Sequence, residues 1–250
     1  MNTLRNPTTQ NENPKGEVIG GSFFRDLPDE ALRAFESIKI HTNYPRGAAL
    51  FVEGESAHGI YALCHGRVKL LTHSADGKAL ILRIAEPGEL LGLSATITGS
   101  SHEATAEVLE NCQVNFVRGQ DFLRFIREHA DAGLGALRQL SENYHQAYAQ
   151  ICSLGLSTSV ADKLAKLFLS WCSYPATYTG FKGKSSSVRL KLSFSHEEIA
   201  EMIGTSRETV TRMLKDFKER GLISIKGSDL TIHDRGVLES SIGSRGRPSV

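Results

Sequence analysis

Three charged side chains within six residues, Arg207, Glu208 and Arg212, carry the most specific chemistry in this sequence. A guanidinium presents paired N–H donors in a fixed fork. That fork matches two acceptors side by side, such as guanine O6 and N7 in the major groove. A carboxylate accepts from an exocyclic amine such as the cytosine amino group. The hydroxyls of Thr205, Ser206 and Thr211 suit phosphate oxygens, and Ser195, His196, Thr209 and Lys215 complete the candidate DNA-binding set.

The local pattern says what must hold them. Ser195 with Glu198 three residues later is a capping box that starts a helix, and Ile199, Ala200 and Ile203 are its apolar stripe. Gly204 ends that helix. Thr205 or Ser206 caps the next one, whose apolar stripe is Val210, Met213, Leu214 and Phe217, and Arg220-Gly221 stops it. The opposite face then presents Arg207, Thr209 and Arg212, with Glu208 at its edge. Two short helices across a tight glycine turn form a helix-turn-helix. Leu222–Ile225 and Leu230–Ile232 around Lys226-Gly227-Ser228-Asp229 predict a hairpin, which makes the unit winged, and Val188, Leu190 and Leu192 alternate as a strand before it. Alone, the charged face would read as solvated, with a Glu208–Arg212 pair four residues apart. Within this two-helix unit it reads as a base-contacting surface.

Upstream, period-2 apolar runs lie between turn signals from Ile40 to about Val117. Examples are Ala49–Val52, Ile60–Leu63, Val68–Leu71 and Ala79–Ile84, broken by His65-Gly66, Asp76-Gly77 and Pro87-Gly88. This spacing predicts an antiparallel sandwich or barrel. Helical periodicity brackets it: a short helix from Leu27-Pro28-Asp29 to about Ile38, another carrying Phe122, Phe125 and Ile126, and a long one from about Asp131 to Leu156. In the long helix Leu137, Tyr144 and Ile151 are seven apart, and Leu140, Ala147 and Leu154 follow each by three. That seam fits a helix packed on its own barrel or, better for three full heptads, parallel pairing with a second copy. A further helix spans about Thr158 to Cys172, and 173–187 read as a loop.

The predicted organisation is a disordered leader at 1–20, a sensor barrel at 21–130, a dimerisation helix at 131–156, a winged helix-turn-helix at 157–238 and a flexible tail at 239–250. The fold class is α+β. Net charge is +1, so any positive surface for a polyanion must be local. The four cysteines, Cys64, Cys112, Cys152 and Cys172, contain no C-x-x-C pair and read as reduced thiols. No signal peptide and no long apolar run is present, so the expectation is a cytoplasmic protein without membrane contact.

From residue 22 to 236 the chain resembles the CRP/FNR family of bacterial transcription regulators. The most specific stretch runs from Phe194-Ser195-His196-Glu197-Glu198-Ile199-Ala200 to Ser206-Arg207-Glu208-Thr209-Val210-Thr211-Arg212, which is similar to the family's S-R-E-T-V-x-R recognition helix. The resemblance implies a jelly-roll barrel similar to cyclic-nucleotide-binding domains. It also implies a homodimer on double-stranded DNA, RNA polymerase as a partner, and no enzymatic activity. It further implies Arg207 on guanine, Glu208 on cytosine and Arg212 on guanine or thymine in a TGTGA half-site.

The barrel departs from the cyclic AMP pattern. Pro87-Gly88-Glu89-Leu90-Leu91-Gly92 matches the run-in, but Leu93-Ser94 stands at the ribose-binding Glu position, and Glu103-Ala104 at the phosphate-binding Arg-Ser position. A carboxylate facing a phosphate is repulsive. The effector pocket is therefore expected around Gly92, Leu93, Ser94, Glu103, Ala104 and Thr105, with cyclic AMP disfavoured, the effector unknown and no metal. The competing reading is a metal- or haem-dependent barrel, a sensor or a cupin-like enzyme. His41, His58, His65, His73 and His102 offer no His-x-His or other diagnostic ligand spacing for it.

Overall fold

The structure is a computed structural model that describes residues 21–172, 187–191, 194–240 and 242. The predicted leader, most of the 173–187 loop, Leu192 and most of the predicted tail lie outside the described residues. The chain divides into two compact units. One comprises the described residues through Leu70 together with Ile84–Glu142. The other comprises Leu71–Arg83 and the described residues from Asn143 onward.

The first unit opens with α1 (Asp29–Ile38) and continues through β1 (Ile40–Tyr44), β2 (Ala49–Phe51), β3 (Gly59–His65), β4 (Val68–His73), β5 (Ala79–Ala85) and β6 (Leu90–Leu91). The short helix α2 (Leu93–Thr98) precedes β7 (Thr105–Val108) and β8 (Cys112–Arg118), and α3 (Gly119–Glu128) follows. The strands form two four-stranded sheets, ordered β1-β8-β3-β6 and β2-β7-β4-β5. Strand β8 pairs antiparallel with β1 and β3. Residues 71–83, the end of β4 and most of β5, belong to the second unit. This is the antiparallel sandwich the alternating runs predict, in the jelly-roll form the resemblance implies. Alternation works because each strand turns every second side chain inward. Leu63, Val68, Ala106, Val108 and Val114 meet in one apolar cluster of that interior.

A second cluster joins barrel and helices. Phe23, Phe35, Phe122 and Phe125 pack with Ile60, Leu90, Leu93, Ala132 and Ala136. Phe23 and Phe35 lie 6.3 Å apart by ring centroid, and Phe35 and Phe125 5.7 Å. The helix α4 (Ala130–Leu156) turns its small residues to this cluster: Ala132, Gly135 and Ala136 are buried. Gly135 allows backbone to approach, since a Cβ there would stand 2.6 Å from the Phe23 carbonyl oxygen. One turn on, the buried Gln139 accepts the Leu90 N–H at 3.1 Å. Arg138 meets Asp26 at 2.6 Å. Gly135→Ala is expected to lower stability by about 1–3 kcal/mol by forcing Phe23 off the helix. A thermal or urea unfolding curve checks this, and an unchanged midpoint would contradict the packing.

In the second unit, α5 (Val160–Trp171) is capped by the Ser159 hydroxyl, which accepts the Asp162 N–H at 3.1 Å. Strand β9 (Val188–Lys191) leads to α6 (His196–Ile203) and α7 (Arg207–Glu219), then β10 (Ile223–Lys226), β11 (Asp229–Ile232) and α8 (Arg235–Ser240). The last three strands order as β10-β11-β9, antiparallel throughout. Two elements go beyond the sequence reading: α2, which occupies the position of the cyclic-nucleotide motif, and α8, which carries the chain helically to Ser240.

Candidate nucleic-acid interface

Helix α6 begins with the predicted capping box. Ser195 Oγ accepts the Glu198 N–H at 3.2 Å, and the Glu198 carboxylate accepts the Ser195 N–H at 2.6 Å. The helix ends at Gly204, whose φ of 63° is left-handed and favours a residue without Cβ. The chain therefore turns within two residues. Ser206 then caps α7, its hydroxyl accepting the Thr209 N–H at 3.3 Å. Of the two cap candidates in the sequence, Ser206 holds the position.

Two packed stripes fix the angle between these helices. Ile199, Ala200 and Ile203 are buried on α6, and Val210, Leu214 and Phe217 on α7. Met213, predicted in the stripe, is only half-buried. From α4, Gln150 Nε2 donates to the Met202 carbonyl at 2.7 Å. The opposite side of α7 is open: Ser206, Arg207, Glu208, Thr211, Arg212 and Lys215 are exposed, and Thr205 and Thr209 half-exposed. Among the described residues no ion pair joins Glu208 to Arg212. Hydrogen bonds from its own backbone N–H and from the Ser206 hydroxyl, helped by the nearby Arg207 charge, hold the Glu208 carboxyl below its ordinary range. Glu208 is thus ionised and an acceptor. Lys215 meets Glu219 at 3.7 Å, an exposed pair.

Three hydroxyls of the predicted DNA-binding set already have partners. Ser195 and Ser206 serve as caps, and Thr211 Oγ1 donates to the Arg207 carbonyl at 2.9 Å while bonding His196 Nδ1 at 2.9 Å. Thr211 cannot donate to a phosphate without giving up its bond to Arg207, whereas Ser195 Oγ only accepts in its cap and keeps its proton to donate.

On α4 the seam is partly redrawn. Leu137, Tyr144 and Ile151 are exposed, at 62%, 67% and 67%. Leu140 and Leu154 are half-buried, Leu140 against the first unit's aromatic cluster, and Ala147 is exposed. The apolar row completing the stripe lies three residues before the first, not three after. Leu134 and Tyr148 are exposed at 51% and 59%, with Ser141 between them in the same register. Both rows have heptad spacing. Only the packing of the chain on itself decides which one is already covered.

In the barrel, Gly92 is left-handed at the start of α2. Leu93 is a core residue rather than a pocket wall, 2% exposed. Ser94 Oγ donates to Glu103 Oε1 at 3.3 Å, Ala104 is buried, and Thr105 Oγ1 accepts the Glu53 N–H at 3.0 Å. His102, which the sequence offers only as one of five barrel histidines without ligand spacing, has a distinct place in the fold. It is buried, stacked on Phe51 at 3.9 Å, and within 3.2 Å of where a Cβ on Gly92 would lie. Burial holds its imidazole below the ordinary range, so it is neutral at neutral pH. Its spacing carries no motif, and the stacking depends on the fold alone. Among the described residues no group of three His, Cys, Asp or Glu side chains is placed to hold a metal.

Among the described residues no disulfide joins two cysteines. Burial pushes the Cys64 and Cys112 thiols up to about 11. A raised thiol pKa means less thiolate at neutral pH. Both are expected to react with iodoacetamide roughly a hundredfold or more slowly than an ordinary thiol, until the chain is unfolded. Rapid labelling of the folded protein would contradict this. Among the described residues no helix is long and apolar enough to cross a membrane.

Comparison with known proteins agrees with this architecture. Residues 162–241 match a Crp-like helix-turn-helix domain, and residues 41–129 a cyclic nucleotide-binding domain. The chain is 29% identical over 213 residues to a CRP-like cAMP-activated global transcriptional regulator of Mycobacterium tuberculosis, covering 84% of this chain and 92% of that protein. It is 26% identical over 196 residues to the global nitrogen regulator of a Synechocystis species, covering 76% and 83%. Its fold is that of the c-di-GMP responsive global regulator CLP of Xanthomonas campestris, with TM-score 0.70 at 19% identity over 82% of this chain and 99% of that one. With a jelly-roll barrel, a long helix and a winged helix-turn-helix in this order, the chain belongs to the CRP/FNR family of transcription regulators.

Proposed function

We propose that this regulator binds a palindrome of the form TGTGA-N6-TCACA as a homodimer. The observation that carries the reading is the open face of α7, where Arg207, Glu208 and Arg212 stand exposed on a helix whose other side is locked into its domain. Arg207 pairs with guanine, Glu208 accepts from cytosine, and Arg212 reads guanine or thymine. Thr205, Ser206, Thr209 and Lys215 lie toward phosphates. Two copies pair along the exposed stripe of α4, which places two recognition helices about one DNA turn apart, roughly 34 Å. The palindrome follows from that two-fold symmetry.

The barrel is a sensor, at 21–130, and its ligand is not cyclic AMP. The Glu103 carboxylate, hydrogen-bonded to Ser94, would meet a cyclic phosphate with like charge. The relatives' names mention cyclic AMP and c-di-GMP, so effectors differ even among similar proteins. The protein acts in the cytoplasm, engages RNA polymerase on DNA, and performs no catalysis. Selection from random duplexes by the purified full chain tests this reading. Enrichment of paired TGTGA-like half-sites with a six-base spacer is expected, and enrichment of no motif would overturn it.

A further inference from the structure

Sequence reasoning groups His196 with the residues that touch DNA; its bonds assign it another task. It is the first residue of α6 and is half-buried. Its Nδ1 lies 2.9 Å from Thr211 Oγ1 on α7, and that hydroxyl lies 2.9 Å from the Arg207 carbonyl oxygen one turn earlier. A carbonyl oxygen can only accept, so the single hydroxyl proton goes to Arg207. Thr211 Oγ1 then offers His196 a lone pair, and Nδ1 must carry the ring proton.

We infer that His196 is a positioning residue: its Nδ1–H holds Thr211, and through it the first turn of α7, at a fixed place on α6. This rests on the reading of α7 as the base-reading helix. The turn held in this way is the one that carries Arg207 and Glu208. A bidentate contact tolerates little displacement, so a helix free to shift loses selectivity before it loses its general attraction to DNA.

The side chains of Asn and Gln separate positioning from contact. In His196→Asn the amide nitrogen falls near the place of Nδ1. In His196→Gln it reaches toward the place of Nε2, where a direct DNA contact would have to be made. Thr211→Val removes the hydroxyl and keeps the shape. With the full chain, His196→Gln and Thr211→Val are each expected to lower the ratio of palindrome to random-DNA affinity by about tenfold. Combining them should cost no more than either alone, and His196→Asn should restore most of the ratio. Retention by Gln with loss by Asn, equal loss by both, additive losses, or no loss at all would each overturn the assignment. Nitrogen-15 shifts of His196 in the DNA-free protein supply an independent readout. They should report the Nδ1–H tautomer, and an Nε2–H tautomer overturns the inference whatever the DNA result. A wild-type chain that does not separate palindrome from random DNA would sink the reading of α7 instead, and the tautomer would still decide the role of His196.

Discussion

Tyr144→Asp is expected to convert the protein from pairs to single chains and to lower its affinity for the palindrome by about a thousandfold, toward the level of random DNA. Tyr144 sits midway along the exposed stripe of α4, 67% open in the isolated chain, with its ring 6.5 Å from that of Tyr148. Burying one such side chain contributes about 1.5–3 kcal/mol, and five large apolar or aromatic residues share the stripe, from Leu134 to Ile151. A carboxylate in its middle removes one of these contributions and adds a desolvation cost in both chains at once. Sedimentation or light scattering reads the oligomeric state directly. An unchanged pair would refute the stripe as the interface. Leu140→Ala supplies the contrast, because its side chain packs on its own chain's core. It should cost about 2–5 kcal/mol of folding stability and leave pairing intact.

Arg207→Ala carries the second large effect, about 1–3 kcal/mol for each half-site, or roughly fivefold to more than a hundredfold in affinity per half-site. The loss should fall on one base pair of each half-site: the variant should accept all four bases there nearly equally. Binding to random DNA should hardly change, since that component depends on the total of phosphate contacts. Titrations against palindromes altered at single positions measure this. Equal loss on specific and random DNA would make Arg207 a phosphate contact and overturn its role as a base reader.

The recognition unit was the most legible part of the chain. Ser195 and Glu198, Gly204, Ser206 and the stripe of Val210, Leu214 and Phe217 each act within a few residues and took their predicted places, while Met213 lies only half-buried at the stripe's edge. The reason is that caps, left-handed turns and helical stripes are decided locally. The barrel's strands were legible for the same reason, through period-2 runs between glycine turns.

What was missed depends on contacts far apart in sequence. The covered row of α4 could not be told from the open one, because the choice depends on how Phe23, Leu90 and Phe122 pack against its first turns. Leu93 read as a pocket position and is core, because α2 turns it inward. His102 carries no motif and gains its place only by stacking on Phe51, far earlier in the chain. Thr211 has the residue type of a phosphate ligand, and only the fold brings His196, fifteen residues earlier, into hydrogen-bond distance of it.

The most direct test of the central claim is a titration of the full chain with labelled duplexes, one bearing the intact palindrome, one with a single half-site scrambled and one of random sequence, at a single salt concentration. Two chains per intact palindrome are expected, with affinity at least about a thousandfold above random DNA and a steep fall when one half-site is lost. Equal affinity for the three duplexes, or one chain on the intact site, would contradict a paired base-reading regulator.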